Sequence, residues 1–169
     1  MTVLETERLS LRKFTVDDAE FILTLLNEPA FLRYIGDKKV RNLDDAHQYI
    51  LNGPVASYER HGFGLNCVEL RESHTPIGMC GLLKREELPD PDIGFALLPD
   101  FRNKGFAFEA ADAVLKAAPD LRRILAITSL DNESSINLLE RLGFKFDRII
   151  KMSPEGEQLR LFSLEKQLS

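Results

Sequence analysis

The sequence predicts a mixed α+β (α/β) fold: one mostly antiparallel central sheet in the element order β-α-α-β-β-β-α-β-α-β-β, with a single β-α-β unit inside it. Three observations carry this. Strand-length apolar or alternating runs are interleaved with stretches of helical periodicity. Gly64 to Leu70 and Pro76 to Lys84 flank the turn-like Glu72-Ser73-His74-Thr75, the pattern of an antiparallel hairpin. Ile93 to Leu98 and Ile124 to Leu130 flank a helical stretch, the pattern of two strands joined by a crossover. At 169 residues the chain has the length of one domain, and neither repeats nor linker-like segments divide it, so one domain over 1–169 is expected.

Taken in order, Leu9 to Phe14 alternates as a strand, with Leu9 and Leu11 on one face. Thr15-x-x-Asp18 is a capping-box start, and Phe21, Ile22, Leu25 and Leu26 repeat at helical spacing until Pro29 closes the helix. A second helix begins near Asn42, with Asp44 and Asp45 in a first turn that favours acid. It continues past an interruption at Gly53-Pro54 to about Arg60, and His61-Gly62 ends it. After the hairpin, Glu86 to Pro91 is an acidic, proline-punctuated loop. Ile93 to Leu98 is almost wholly apolar, consistent with burial on both faces. Lys104 to Ala118 is rich in helix formers, with Phe106, Ala110, Ala113, Val114 and Ala117 on one face and Pro119 as its stop. Ile124 to Leu130 is a buried strand, and Ser134 to Leu142 is a short helix with Gly143 as its left-handed C′ residue. Phe144 to Met152 and Gln158 to Lys166 close the sheet around Pro154-Glu155-Gly156.

Charge and cysteine usage exclude several classes. Lys and Arg number 22 against 27 Asp and Glu, a net charge of −5, which argues against a nucleic-acid-tracking surface. No apolar run approaches the roughly 18 residues of a membrane span, and the acid-bearing start lacks a signal peptide's apolar core. Cys67 and Cys80 read as buried free thiols of a reducing compartment, so a cytoplasmic protein without a membrane partner is expected. His47, His61 and His74 lie too far apart for a metal-ligand motif, and no metal is expected.

The stretch Leu97-Leu98-Pro99-Asp100-Phe101-Arg102-Asn103-Lys104-Gly105-Phe106-Ala107 runs from a buried strand through a short loop into a helix. A helix start leaves N–H groups without partners and carries partial positive charge, both of which a diphosphate satisfies. Gly105 lets an anion approach the backbone, Ala107 keeps the next contact small, and Arg102 and Lys104 add cations. Gly105 alone also fits a simple tight turn. Neither a nucleoside-triphosphate P-loop nor a Gly-x-Gly-x-x-Gly fingerprint is present.

Four ordered blocks narrow the choice: Leu4-Glu-Thr-Glu-Arg-Leu-Ser-Leu-Arg12, Asp92-Ile-Gly-Phe95, Arg102-Asn-Lys-Gly-Phe-Ala-Phe-Glu-Ala110, and Asp131-Asn-Glu-Ser-Ser-Ile-Asn137 leading to Glu140-Arg-Leu-Gly-Phe144. Over nearly the whole chain this arrangement resembles the GNAT superfamily of N-acetyltransferases, in its RimJ/RimL-type ribosomal-protein-alanine/serine acetyltransferase branch. The resemblance implies acetyl-CoA as cosubstrate, with its diphosphate on the amides from about Lys104 to Ala107, beside Arg102, Asn103, Gly105 and Phe106. It implies that the strand ending at Leu97 and Leu98 splays from the Ile124–Leu130 strand, leaving a gap in which pantetheine pairs with freed backbone groups. Asn132, Ser135 and Asn137 would then face the cofactor arm, although Asn and Ser at these positions also suit helix capping.

The implied reaction is direct attack of a primary amine, from a protein N-terminus or a small amine, on the thioester. An α-amine, with pKa about 7.7–8, needs less help than a lysine at about 10.4. Asp92 is the candidate base; a solvated strand-edge carboxylate is the alternative. The position at which many members carry a Tyr acid is Leu139 here, and Ser135 is the candidate to hydrogen-bond the departing sulfur. Glu109 reads as a helix-dipole or salt-bridge residue. The acidic Glu86, Glu87, Asp90 and Asp92 border the acceptor side and are candidates to steer a basic amine, or form a plain solvated loop. Phe31, Tyr34 and Tyr58 are candidate acceptor contacts or core aromatics. A non-catalytic acyl-CoA-binding domain is the rival reading.

Overall fold

The strands are β1 (Thr2–Glu5), β2 (Leu9–Lys13), β3 (Leu65–Leu70), β4 (Pro76–Leu83), β5 (Asp92–Leu97), β6 (Arg123–Ser129), β7 (Lys145–Lys151) and β8 (Gln158–Glu165). They form one sheet in the order β1-β2-β3-β4-β5-β6-β8-β7. The structure, a computed structural model, describes residues 2–118 and 121–166. Neighbouring strands pair antiparallel throughout except β5 with β6, the single parallel pair. The sheet is therefore mostly antiparallel around one β-α-β unit, as the sequence predicts.

The helices are α1 (Ala19–Leu26), α2 (Pro29–Tyr34), α3 (Leu43–Ile50), α4 (Ala56–His61), α5 (Phe106–Ala117) and α6 (Glu133–Arg141). Thr15 does form a capping box with Asp18, opening a short 3₁₀ turn that leads into α1. Pro29 does not simply end α1; it occupies the first turn of α2, where its missing N–H costs nothing, and Glu28 caps that turn. The predicted long second helix is three pieces. Pro54 cannot donate to the helical ladder, and the chain accommodates it in a π-helical stretch, Leu51–Val55, between α3 and α4. Gly62, at φ +78, terminates α4. β1 was not predicted, and its short, mostly exposed pattern explains why. On α5 the buried face is Phe106, Ala110, Ala111, Val114 and Leu115; Ala117 is exposed and Ala113 only half-buried. Pro119 lies outside the described residues.

Apolar packing divides between the two faces of the sheet. One cluster joins α5 and Leu139 of α6 to Leu9, Leu11, Val68, Ile77, Ile93 and Leu97. The other joins α1, α2 and α3 to Leu65, Cys67 and Met79. Side chains of a strand alternate between faces. Hence Ile93, Phe95 and Leu97 of β5 lie toward α5, while Ala96 and Leu98 lie toward α1–α3. The same alternation puts Asp92 on the α1–α3 side.

An ionic network ties the chain's start into this frame. The buried Asp18 and Glu69 both accept from Arg12, at 2.7 and 2.8 Å. Burial opposes the Asp18 charge, yet the Arg12 hydrogen bonds and the Thr15 amide hold its pKa below the usual value. Cys67 and Cys80 are buried free thiols, both pushed up to about 12 by burial.

Candidate active site

β5 and β6 are in register at one point, Asp92 opposite Leu125, where the Leu125 amide donates to the Pro91 carbonyl at 2.9 Å. Beyond it they part. On its other edge β5 stays paired with β4 along its whole length, and β6 with β8. The Leu98 amide donates to Ile77 of β4. Antiparallel alternation therefore turns the backbone groups of Phe95 and Leu97 the other way, into the gap. A cavity of about 830 Å³ fills it, bounded by Gly94–Leu97 on one side and Ile127–Ser129 on the other. The middle of β5 is consequently half-exposed, not buried on both faces as its composition implies.

The helix start predicted to hold an anion forms one end of this cavity. Asn103 and Gly105 both adopt left-handed backbone conformations, at φ +61 and +82, and carry the chain sharply into α5. Gly105 is the N-cap, and no side chain caps the first-turn amides. Asn103, Gly105, Phe106 and Ala107 line the cavity. Lys104 is exposed and not part of its wall. Arg102 lines it, but its guanidinium is engaged, donating to Glu28 at 2.6 Å and to the Leu97 carbonyl at 3.0 Å. Burial works against the Glu28 charge, but Arg102 and the amides of Ala30 and Phe31 keep its pKa low. Leu97 faces the gap, whereas Leu98 packs into the α1–α3 cluster and is not part of the wall.

Arg8, not singled out from sequence, stands at the same helix start. It donates to the Lys104 carbonyl at 3.0 Å and to Glu109 at 2.7 Å, and its guanidinium lies 4.3 Å from the Phe106 ring centre. Thr6 also bonds Glu109. Glu109 is thus the brace of the helix start, its pKa opposed by burial but lowered by these donors. Only the three-dimensional pairing of Thr6 and Arg8 with Glu109 gives the first sequence block its meaning.

At the opposite end Asp92 is fully buried. One oxygen accepts from the Arg85 Nε at 3.1 Å; the other, Oδ2, has no partner among the described residues. Burial raises its pKa, against the lowering influence of Arg85 and Lys84. It is therefore a desolvated carboxylate on the cavity wall, not a solvated strand-edge group. The buried Thr128 hydroxyl, on the β6 side of the cavity, also lacks a partner among the described residues. Tyr34 and Phe31 line the cavity. Tyr58 does not; its hydroxyl accepts from the Phe14 amide and donates to the Leu65 carbonyl, a core tie. Glu86 and Glu87 are exposed away from the wall, and Asp90 lies 3.9 Å from Arg123.

From α6, Ser134, Ser135, Leu138 and Arg141 reach the cavity. Asn132 does both things open to it: it borders the cavity and accepts from the Ser135 amide at 3.3 Å as N-cap. The Ser135 hydroxyl has no partner among the described residues. Asn137 is exposed and is not brought to the wall, because it falls to the side of the inward stripe 134, 138, 141. Leu139 is buried in the core. Among the described residues no group of three or more His, Cys, Asp or Glu is placed to hold a metal ion, and no helix is long and apolar enough to cross a membrane.

The acetyltransferase (GNAT) domain family matches residues 8–145. The chain belongs to that family and is an acetyltransferase. It is 29% identical over 154 residues to the uncharacterized N-acetyltransferase YoaA of Bacillus subtilis, covering 88% of this chain and 86% of that one. Its fold is that of an acetyltransferase from Agrobacterium tumefaciens, at TM-score 0.82 and 23% identity over 98% of this chain and 95% of that one. It is equally that of RimL, the ribosomal L7/L12 α-N-protein acetyltransferase solved with coenzyme A, at TM-score 0.83, 15% identity and 98% of both chains.

Proposed function

We propose that this protein moves acetyl from acetyl-CoA to a primary amine by direct attack within a ternary complex. The observation that carries the reading is the parting of β5 from β6 just past Asp92, which opens a through-sheet cavity between an uncapped helix start and a buried carboxylate. The residues present fit the cosubstrate. Glycine at 105 relieves the left-handed backbone that turns the chain into α5 and leaves the first-turn amides without a side chain of their own in front of an anion. The amides of Gly105 to Ala107 take the diphosphate, and the unpaired edge of Phe95, with the Leu97 amide, takes the pantetheine amides as an added strand would. Arg102 serves by fixing the end of β5 through Leu97 and Glu28, and the backbone does most of the anion binding.

Asp92, with a raised pKa and a free oxygen, accepts the amine proton directly or through water. The amine nitrogen forms the new bond to the acetyl carbon as the carbon–sulfur bond breaks. The Ser135 hydroxyl donates to the departing sulfur, whose thiol pKa of about 8.5 demands little acid assistance. Much of the rate then comes from positioning. Buried Leu139 offers no acid, which favours a second reading, a non-catalytic acyl-CoA sensor. One experiment separates them: an amine screen for release of free CoA thiol, with mass spectrometry of the product. Acetylated amine supports transfer; tight acetyl-CoA binding without turnover supports the sensor.

A further inference from the structure

The acceptor half of the cavity has an unexpected charge. Its wall carries Lys38, Arg60, Lys84 and Arg85 against one carboxylate, Asp92, with Lys38 and Arg60 on its exposed rim. Lys84 is satisfied by the carbonyls of Arg85 and Leu88, at 2.8 and 2.7 Å. Arg85 gives Nε to Asp92, while its two terminal nitrogens have no partner among the described residues. Lys38 and Arg60 likewise lack a carboxylate partner there. Lys38 and Arg85 line the same cavity, and Lys38, although its side chain is exposed, has its pKa lowered by partial desolvation and then by the charge of Arg85. Several cations on one cavity wall, matched by a single carboxylate, are what an anionic ligand would relieve.

Resting on the acetyl-transfer reading above, we infer that the acceptor is a primary amine that carries its own phosphate or carboxylate, the anion bound by Lys38 and the free end of Arg85 and the amine directed to Asp92. The 3.1 Å contact between Arg85 and Asp92 requires the two ligand groups to be only a few bonds apart. A polyamine would place further positive charge against Lys38 and Arg85, and a neutral amine would leave them unpaired.

The test uses the whole protein saturated with CoA for binding, or with acetyl-CoA for turnover. O-Phosphoethanolamine is compared with ethanolamine, L-serine with L-serinamide, and spermidine is the cationic probe. At least one anion-bearing member should bind the CoA complex, or turn over by kcat/KM, at least tenfold better than its neutral isostere, and the pair that discriminates tells phosphate from carboxylate. Lys38→Met should shrink that ratio severalfold. Equal or better performance by ethanolamine, L-serinamide or spermidine would overturn the acceptor class and leave acetyl transfer standing. Failure of the protein to bind acetyl-CoA at all would overturn the transfer reading and the acceptor class with it.

Discussion

Replacing Gly105 with alanine separates the cost of a backbone from the loss of a ligand site. Gly105 sits at φ +82, where a side chain costs about 1–2 kcal/mol. The added Cβ meets only the Arg8 guanidinium, at 3.3 Å, the movable end of a long side chain, so packing adds little. Gly143 provides the control. It has φ +100, its added Cβ would make ordinary contact with Leu164 at 3.5 Å, and it is not part of the cavity wall. Gly105→Ala and Gly143→Ala should therefore lower stability alike, by about 1–2 kcal/mol, or roughly 2–8 °C in Tm for a chain of this size. They should differ in ligand binding. Losing one charge-assisted contact between amide and diphosphate costs about 1.5–3 kcal/mol, which weakens acetyl-CoA about tenfold to a hundredfold. Denaturant titration and isothermal calorimetry on both variants decide it. Gly105→Ala binding acetyl-CoA as well as Gly143→Ala does would refute the placement of the diphosphate.

Asp92→Asn should lower turnover about a hundredfold or more while leaving acetyl-CoA affinity unchanged, read by steady-state kinetics and calorimetry. The Asp92 pKa is raised in the fold, so its ionisation opposes folding above that value. Asp92→Asn should accordingly gain stability relative to the parent at pH 7, and the gain should vanish at acid pH below the ordinary aspartate value. Asp18, Glu28 and Glu109 act with the opposite sign: their lowered values contribute stability that is fully present above the usual carboxylate pKa and lost as pH falls from there through their lowered folded-state values. Denaturation midpoints measured from pH 7 down to 3.5 should fall, and Glu109→Gln should flatten that fall. Ser135→Ala should reduce kcat by less than about tenfold, because the leaving thiolate is already stable; a loss of a thousandfold would mean that its hydroxyl does more than hydrogen-bond sulfur. Asn132→Ala should cost about 1 kcal/mol in stability as a lost N-cap.

All the strands but β1 were legible because their signals are local. Alternation in Leu9–Lys13, the hairpin turn at Glu72–Thr75 and the helix formers of Phe106–Ala117 all lie within a few residues of what they determine. The helix start at Gly105 was legible for the same reason. What escaped was set by distant partners. Arg102 reads as a cation for a phosphate until Glu28 and the Leu97 carbonyl are seen to hold it. Arg8 reads as a surface residue until α5 is packed over it. The run Glu86, Glu87, Asp90 and Asp92 suggests an acidic mouth, but strand alternation and the loop turn only Asp92 inward, where Arg85, just past β4, bonds it and Lys84 shares its wall. Pro29 and Pro54 are local signals with two meanings, and only packing chose between them.

The most direct test is a crystal structure with acetyl-CoA. Density for the diphosphate on the amides of Gly105 to Ala107, with pantetheine running between Phe95–Leu97 and Ile127–Ser129 toward Asp92, is the expected result. A thioester bound elsewhere, with β5 and β6 still apart and nothing between them, would contradict it.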